Sequence, residues 1–370
     1  MHNFSLSKNS YIDFRNKINA WYHPDFRKMP WKGEKDPYKI WISEVILQQT
    51  RVQQGWEYYV NFLEKFPTLQ VLASSDIDDV LKTWQGLGYY SRARNLHLGA
   101  RRVVEHFGGR LPANYHDLLK IPGIGPYTAA AIASFAFGLP YAVVDGNVVR
   151  VLARYFNIEA AFDSTAGRKI FSIIAGNVLE PADPGRFNQA MMDLGATICT
   201  PTATRCGICP LRDGCMAFKL DRIKQLPIKP KKIIRRERFF NYLIIRSTDS
   251  CLLFRRQKGD IYSGMYEFLL WENEKEASTM DMGQWLQDIG INGRAEPILK
   301  LPPQILTHQK IIATFYIIHV ADLPTLESAI EVAFNDLPQF AFPKFIQTAI
   351  DRIDLKKIEG VIQPQISHNS

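Results

Sequence analysis

Between Leu119 and Arg150 the chain breaks twice between apolar runs of helical character, and this stretch constrains the fold most. Gly123 and Gly125 bracket one apolar residue, Ile124, between two helix-compatible runs. Glycine there lets the backbone turn sharply and approach another surface closely. Pro126 suits the first turn of the following helix, where its missing N–H would be unpaired anyway. The N–H groups of such a turn and helix start form an anion site, and a DNA phosphate is one candidate anion. Asp145 ends an apolar run just ahead of another helical pattern, where the helix dipole favours its ionised form. A buried helical hairpin with an N-capping Asp accounts for the same residues without a ligand.

At 370 residues the chain is too long for one ordinary core, so two or three domains are expected. A net charge of +8 and a pI near 9.1 favour an acidic partner, nucleic acid before membrane. Met1–His23 is polar and amphipathic and lacks the apolar core of a signal peptide. The longest apolar run, Ala129–Val144, is broken by Gly138 and Pro140 and falls short of the roughly 20 residues of a membrane span. The expectation is a cytoplasmic protein. Five cysteines in such a chain point to metal or catalysis rather than disulfides.

Asn9 or Ser10 is placed to cap a first helix carrying Phe14, Ile18 and Trp21 on one face. Met29-Pro30-Trp31 reads as a turn with a buried aromatic. Asp36 and Pro37 open a helix whose Ile40, Trp41, Ile42, Val45, Ile46 and Leu47 point in nearly every direction, so it is expected to be buried all round. Glu44 lies in its middle. A carboxyl there must be paired or have its pKa raised until it stays protonated. Buried acids of that kind are enriched at active sites, although a salt-bridged structural Glu fits too. Gln48–Arg51 is a polar helix end able to face a nucleic acid. Gly86–Arg94 sets a tight loop with Tyr89 and Tyr90 beside Arg92 and Arg94, a composition suited to stacking and phosphate contact or to ordinary rim packing.

Further helices are predicted at 147–156, 166–179 and 187–197. They lead into Cys199, Cys206, Cys209 and Cys215, spaced C-x6-C-x2-C-x5-C. Four thiols in a short loop with Pro201 and Pro210 form a metal site, and the spacing alone suits zinc as well as a four-iron cluster. Cys251 lies apart and reads as a buried small hydrophobe. Residues 221–238 are rich in Lys and Arg (Lys229, Lys231, Lys232, Arg235, Arg236 and Arg238) and read as an exposed basic linker. Beyond it strands are predicted at 239–246, 252–256 and 311–320, with helices at 280–289 and 344–353. The fold class expected is therefore multidomain: an all-α region followed by an α+β domain over 239–362 and a polar tail over 363–370.

In this order and spacing, Met29–Trp31, Trp41–Val52, Gly86–Leu96, Ile121–Ala129, Val143–Val148 and the four-cysteine loop resemble the adenine DNA glycosylases of the MutY type. That family belongs to the helix-hairpin-helix glycosylase superfamily. The resemblance spans nearly the whole chain. It implies a helix-hairpin-helix catalytic region over 1–220, a [4Fe-4S] cluster rather than zinc on Cys199, Cys206, Cys209 and Cys215, and a Nudix-like lesion-recognition domain at the C-terminus. It implies removal of adenine from A:8-oxoguanine and A:G mispairs in double-stranded DNA, by a monomer in a bacterial-type cytoplasm, at the nucleoid and without a membrane.

The same resemblance makes Glu44 the catalytic acid and Asp145 the catalytic carboxylate, with Tyr127 and Asn147 in support. Gln49 and Tyr89 match residues that push into the base stack. Trp31, Lys32 and Gln189 lie near the expected adenine pocket. Gly123, Gly125, Arg92 and Arg94 are candidates for phosphates. Cleavage at an N-glycosidic bond needs a protonated leaving base and a fixed anion for the sugar cation, which two carboxyls of opposite protonation state supply. The adenine must also leave the duplex to be reached. Bifunctional relatives carry a Lys just after the Gly-x-Gly turn, where this chain has Tyr127, so base removal without strand cleavage is expected. Gly259–Phe268 resembles the approach to a Nudix box, but Trp271–Ala277 does not continue as its acidic helix, so recognition rather than hydrolysis is implied. Leu306-Thr307-His308 stands where relatives read the oxidised base, with Leu in place of Phe and Thr307 keeping a hydroxyl.

Overall fold

A computed structural model of the chain describes residues 8–228, 234–353 and 355. The chain forms two compact units. The first runs to Ser74 and resumes at Asn95; the second takes Ser75–Arg94 together with the residues beyond the basic segment. Residues 75–94, read from the sequence as part of the N-terminal region, thus group with the C-terminal one. Lys229, Lys231, Lys232 and the polar tail at 363–370 lie outside the described residues.

The first unit is helical. Lys8–Trp21 buries Phe14 and Ile18 as expected, but Asn9 and Ser10 lie inside this helix rather than capping it. Pro37–Leu47 starts on Asp36, whose carboxylate accepts from the Tyr38 N–H at 2.8 Å. It buries Tyr38 and every residue from Ile40 to Ile46, and packs on Pro126–Phe135 and Val52–Lys65. Its apolar circumference leaves water no face to reach. Gly146–Tyr155 packs on Pro184–Thr197 around a core holding Phe14, Leu152, Phe171 and Leu194. Each such side chain contributes about 1.5–3 kcal/mol by leaving water. Gly195 allows that pair its closeness: a Cβ there would lie 2.6 Å from the Asn147 Cβ.

Among the described residues the second unit is built on a mixed eight-stranded sheet. Its strands are β1 (Arg236–Arg246), β2 (Ser250–Arg255), β3 (Tyr266–Glu267), β4 (Leu269–Asn273), β5 (Glu296–Lys300), β6 (Gln304–Ile305), β7 (Gln309–His319) and β8 (Ala329–Ala333). The main path runs β3-β2-β1-β7-β5, with β4 on β1, β6 on β7 and β8 on β2. β1 and β7 pair in parallel from Arg236↔Gln309 to Arg246↔His319. The predicted hairpin of β1 and β2 is present, as are the helices Thr279–Asp288 and Lys344–Arg352. Their apolar faces cover the two sides of the sheet, giving separate cores around Phe315 and around Leu243 and Tyr316.

The basic linker reading is corrected at its end. β1 begins at Arg236, and Arg238 is buried in an ion network with Asp260 and Glu272. The residues just before it, Arg235 to Glu237, are exposed, so a charge count could not distinguish a strand residue aimed inward from a linker cation. No helix among the described residues is long and apolar enough to cross a membrane.

Candidate active site

Glu44 is 7% exposed, in the middle of the apolar helix. Tyr127, on the second residue of the helix that Pro126 opens, donates its hydroxyl hydrogen to Glu44 Oε2 at 2.5 Å. Burial raises the Glu44 carboxyl from its ordinary 4.5 to about 7; the Tyr127 hydrogen bond opposes this, and the negative charge of Asp145 reinforces it. Burial also holds the Tyr127 phenol far above its ordinary range, so it remains a donor. The sulfur of Met192 lies 3.9 Å from the same hydroxyl.

Asp145 caps the helix Gly146–Tyr155. Its Oδ1 accepts from the Val148 N–H and its Oδ2 from the Asn147 amide, both at 2.7 Å. Burial raises this carboxyl too, against those two bonds and the Arg150 guanidinium. Helix-dipole reasoning from the sequence omitted that burial. The contacts decide for the anion: both oxygens face N–H donors, so no acceptor there rewards a carboxyl proton.

Arg150 was not singled out from the sequence as a site residue. Its Nη2 donates to Asn147 Oδ1 and to the Gly195 carbonyl, each at 2.7 Å, and its Nε donates to the Cys199 carbonyl at 2.6 Å. One cation therefore ties the cysteine loop to Asn147, and Asn147 holds Asp145. The available signal was an Arg three residues after Asn147, hence on the same helical face. Arg154, one turn on, is 2% exposed and donates to Cys199 Sγ at 3.4 Å and to the Thr200 carbonyl at 2.8 Å.

A cleft of 520 Å³ opens onto Glu44 and is lined by Trp31, Lys32, Arg186 and Gln189 among others. Lys32 and Gln189, expected near such a pocket, both turn to Asp193. Lys32 Nζ lies 3.0 Å from Asp193 Oδ2, and Gln189 Nε2 donates to Oδ1 at 3.2 Å. Asp193 is fully buried and was missed, although its spacing of four from Gln189 on one helix hinted at the pairing. Trp31 is held edge-on by Tyr59, with ring centroids 5.5 Å apart.

Of the two hairpin glycines only Gly123 has a left-handed backbone, φ +83°, and a Cβ there would crowd Asn95 at 3.1 Å. Gly125 is extended and its Cβ position is open. Gln49 has φ +60° and follows the end of the Pro37–Leu47 helix. Tyr89 has φ +49° in the second unit. Left-handed backbone at non-glycine residues is strained and concentrates at functional positions. Sequence alone showed none of this.

Arg92 and Arg94 are placed differently from the phosphate contacts suggested by their sequence. Arg92 donates to the Gly88 carbonyl at 3.1 Å and covers the Trp84 ring at 5.2 Å. Arg94 donates to the Ser263 carbonyl at 2.8 Å. Both brace loops of the second unit. In that unit the turn between β6 and β7 carries Leu306-Thr307-His308, held by Leu306 N–H to Gln309 O at 2.8 Å and Arg235 Nε to Leu306 O at 2.9 Å. The Thr307 and Tyr89 hydroxyls lie 3.0 Å apart, and both residues line a 560 Å³ cleft with His308 and Tyr262.

Cys199, Cys209 and Cys215 pack at the edge of the helical core. Burial pushes the Cys209 thiol up to about 11, and the charges of Cys199, Cys215 and Cys206 add to it, so the four thiols lie within electrostatic reach of one another. Among the described residues no three His, Cys, Asp or Glu converge closely enough to hold a single metal ion.

The sequence profile of the HhH-GPD superfamily base excision DNA repair proteins matches residues 42–171. The adenine DNA glycosylase of Buchnera aphidicola subsp. Baizongia pistaciae is 37% identical, over 69% of this chain and 73% of that protein. The chain belongs to the adenine DNA glycosylases, of the MutY type and the helix-hairpin-helix superfamily. It is accordingly a DNA glycosylase, a hydrolase of base excision repair. The human adenine DNA glycosylase is 46% identical over 58% of this chain and 41% of its own length. Among solved structures, a thermostable thymine-DNA glycosylase matches with TM-score 0.53 at 30% identity, covering 57% of this chain and 98% of that one. A non-covalent endonuclease III–DNA complex matches with TM-score 0.50 at 20% identity, covering 58% and 98%, and shares the fold.

Proposed function

We propose that the protein excises adenine paired with 8-oxoguanine or guanine in double-stranded DNA and leaves the strand intact. The observation that carries this reading is the pairing of a buried Glu44, bonded to Tyr127, with an Asp145 held by N–H donors. One carboxyl keeps its proton near neutrality and the other is built for the anion, the division of roles that glycoside cleavage requires.

With the adenine flipped into the cleft at Glu44, the carboxyl proton passes to N7. The C1′–N9 bond breaks with its electron pair going to the neutralised base. Asp145 offsets the positive charge on the sugar. A water then bonds to C1′ and its proton returns to Glu44. Asn147 and Arg150 hold Asp145 in place. The open position at Gly125 and the N–H groups of the hairpin suit a DNA phosphate. Gln49 and Tyr89, already strained, suit insertion into the stack. The second unit, read as a Nudix-like recognition domain, takes the opposite base at Thr307 and His308. Its residues 269–273 form β4, and Glu272 is engaged by Arg238, so no acidic helix is offered there. The reading assumes a monomer working on the nucleoid in the cytoplasm.

The four cysteines supply a donor set suited to a [4Fe-4S] cluster: four thiols at the edge of an apolar core, with the Arg154 cation donating to one sulfur. Such a group would tie Cys199, Cys206, Cys209 and Cys215 into one rigid loop. Purified protein is expected to show broad visible absorbance that Cys206→Ser removes; a colourless zinc protein is the contrary result.

Tyr127 occupies the place of a Schiff-base Lys, which supports hydrolysis without an imine. Borohydride treatment during turnover on an A:8-oxoguanine duplex is expected to trap no covalent complex while free adenine appears. A stable protein–DNA adduct would overturn the monofunctional assignment, and absence of released adenine would overturn the activity.

A further inference from the structure

The segment Gly259–Phe268 carries a backbone outlier of the second unit. Tyr262 has φ +60°, a conformation costly for a bulky side chain and kept only where the surroundings over-determine it. Two residues earlier, Asp260 is clamped by two buried guanidiniums. Arg238 donates to Oδ1 at 2.7 Å and to Oδ2 at 2.6 Å, and Arg256 Nη2 donates to Oδ2 at 2.6 Å. Both arginines sit over the Phe240 ring, at 4.8 and 5.2 Å. The Tyr262 ring itself packs against Phe345 and Tyr90, with centroids 5.6 and 6.1 Å apart. The outcome of this bracing is the placement of one hydroxyl: Tyr262 donates to Gln304 Oε1 at 3.0 Å. Tyr262 and Gln304 both line the 560 Å³ cleft that also holds Thr307 and His308.

A carboxamide whose oxygen is occupied by a phenol has its N–H2 left to offer an occupant of the cleft. An 8-oxidised guanine carries a carbonyl oxygen at C8, where guanine has only C–H, and its N7 bears a hydrogen, so an acceptor stands at a position that guanine leaves without one. We propose that Gln304 is a specificity-determining residue for the base opposite the adenine, its amide N–H2 donating to the C8 carbonyl oxygen of an oxidised purine seated in this cleft, with Tyr262 as the positioning residue that fixes the amide. This rests on the lesion-recognition reading given above.

The test compares duplex affinity and single-turnover excision on A:8-oxoguanine and A:G for wild type, Gln304→Glu, Gln304→Ala and Tyr262→Phe. Gln304→Glu replaces the donor by an acceptor of the same shape. It is expected to lower the affinity for A:8-oxoguanine about tenfold while the A:G value changes less than about threefold. Gln304→Ala, which adds no charge, moves in the same direction. Tyr262→Phe keeps the ring and frees the amide, and lowers the preference for 8-oxoguanine about threefold. Thermal midpoints stay at the wild-type value. Parallel losses on both duplexes, or a preference within twofold of wild type in both Gln304 variants, overturn the assignment. A wild type without preference for 8-oxoguanine overturns the lesion reading and this inference with it; a preserved preference in the variants removes this inference alone.

Discussion

Glu44→Gln is expected to slow single-turnover adenine excision by about a thousandfold, the scale of a lost general acid, while duplex affinity is kept. Gln preserves the shape and still accepts from Tyr127, so the contact at 2.5 Å survives without a transferable proton. The wild-type rate is expected to fall as pH rises through about 7, because burial raises the Glu44 carboxyl to that value and only the protonated form can donate. Stability has a linked dependence. Between 4.5 and about 7 the folded chain holds a proton that the unfolded chain has released, so stability declines as pH rises across that window. Gln at this position removes the titration, and thermal midpoints measured from pH 5 to 8 are expected to be flatter in the variant. A Glu44→Gln protein with near-wild-type excision would remove the acid from the mechanism.

Asp145→Asn is expected to cost about a thousandfold or more in the same assay, since a neutral amide cannot offset the sugar cation. The fold is expected to hold. Asn caps helices as well as Asp does, so the bond from the Val148 N–H is retained. The contrast is informative because removing the charge and removing the cap are separated. The Asn147 amide loses its acceptor, so the thermal midpoint is expected to fall somewhat; full loss of excision in a protein that still folds and binds duplex as the wild type does assigns the effect to the anion. Unimpaired excision would reduce Asp145 to a capping residue, the alternative its sequence left open. The path from Cys199 through Arg150 and Asn147 to Asp145 gives the carboxylate a rigid backing that one capping bond would not provide.

Much of the helical unit was legible because its signals are local. Asp36-Pro37 and Gly125-Pro126 start helices wherever they stand ahead of an apolar run, and Asp145 caps because its side chain reaches the N–H three residues on. A helix apolar all round can only be buried, and a carboxyl at its middle must then be paired or protonated. Of the strands of the second unit, β1, β2 and β7 follow from β-branched and aromatic runs, whereas the short β3, β4, β5, β6 and β8 carry no such run, and the parallel pairing of β1 with β7 does not follow either, since register between distant segments is decided by which faces meet.

The residues misjudged are those whose role depends on contacts across the sequence. By sequence Arg92 and Arg94 suit phosphates and Arg238 suits an exposed linker, yet each is committed to protein groups, two of them to carbonyls of loops and one to the part-exposed acids Asp260 and Glu272. Asp193 and Arg150 were passed over, because an isolated charge on a helix reads as solvated until the fold removes the water. Sequence by itself determined the apolar helix around Glu44, the Gly-x-Gly turn, the capping Asp145 and the four-thiol loop, since each depends on spacing within a few turns of chain. Tertiary structure alone decided that Tyr127 meets Glu44, that Arg150 joins Asn147 to the cysteine loop, and that Tyr262 fixes Gln304, because charge state and hydrogen-bond partners are set by burial and by groups brought from distant positions in the chain.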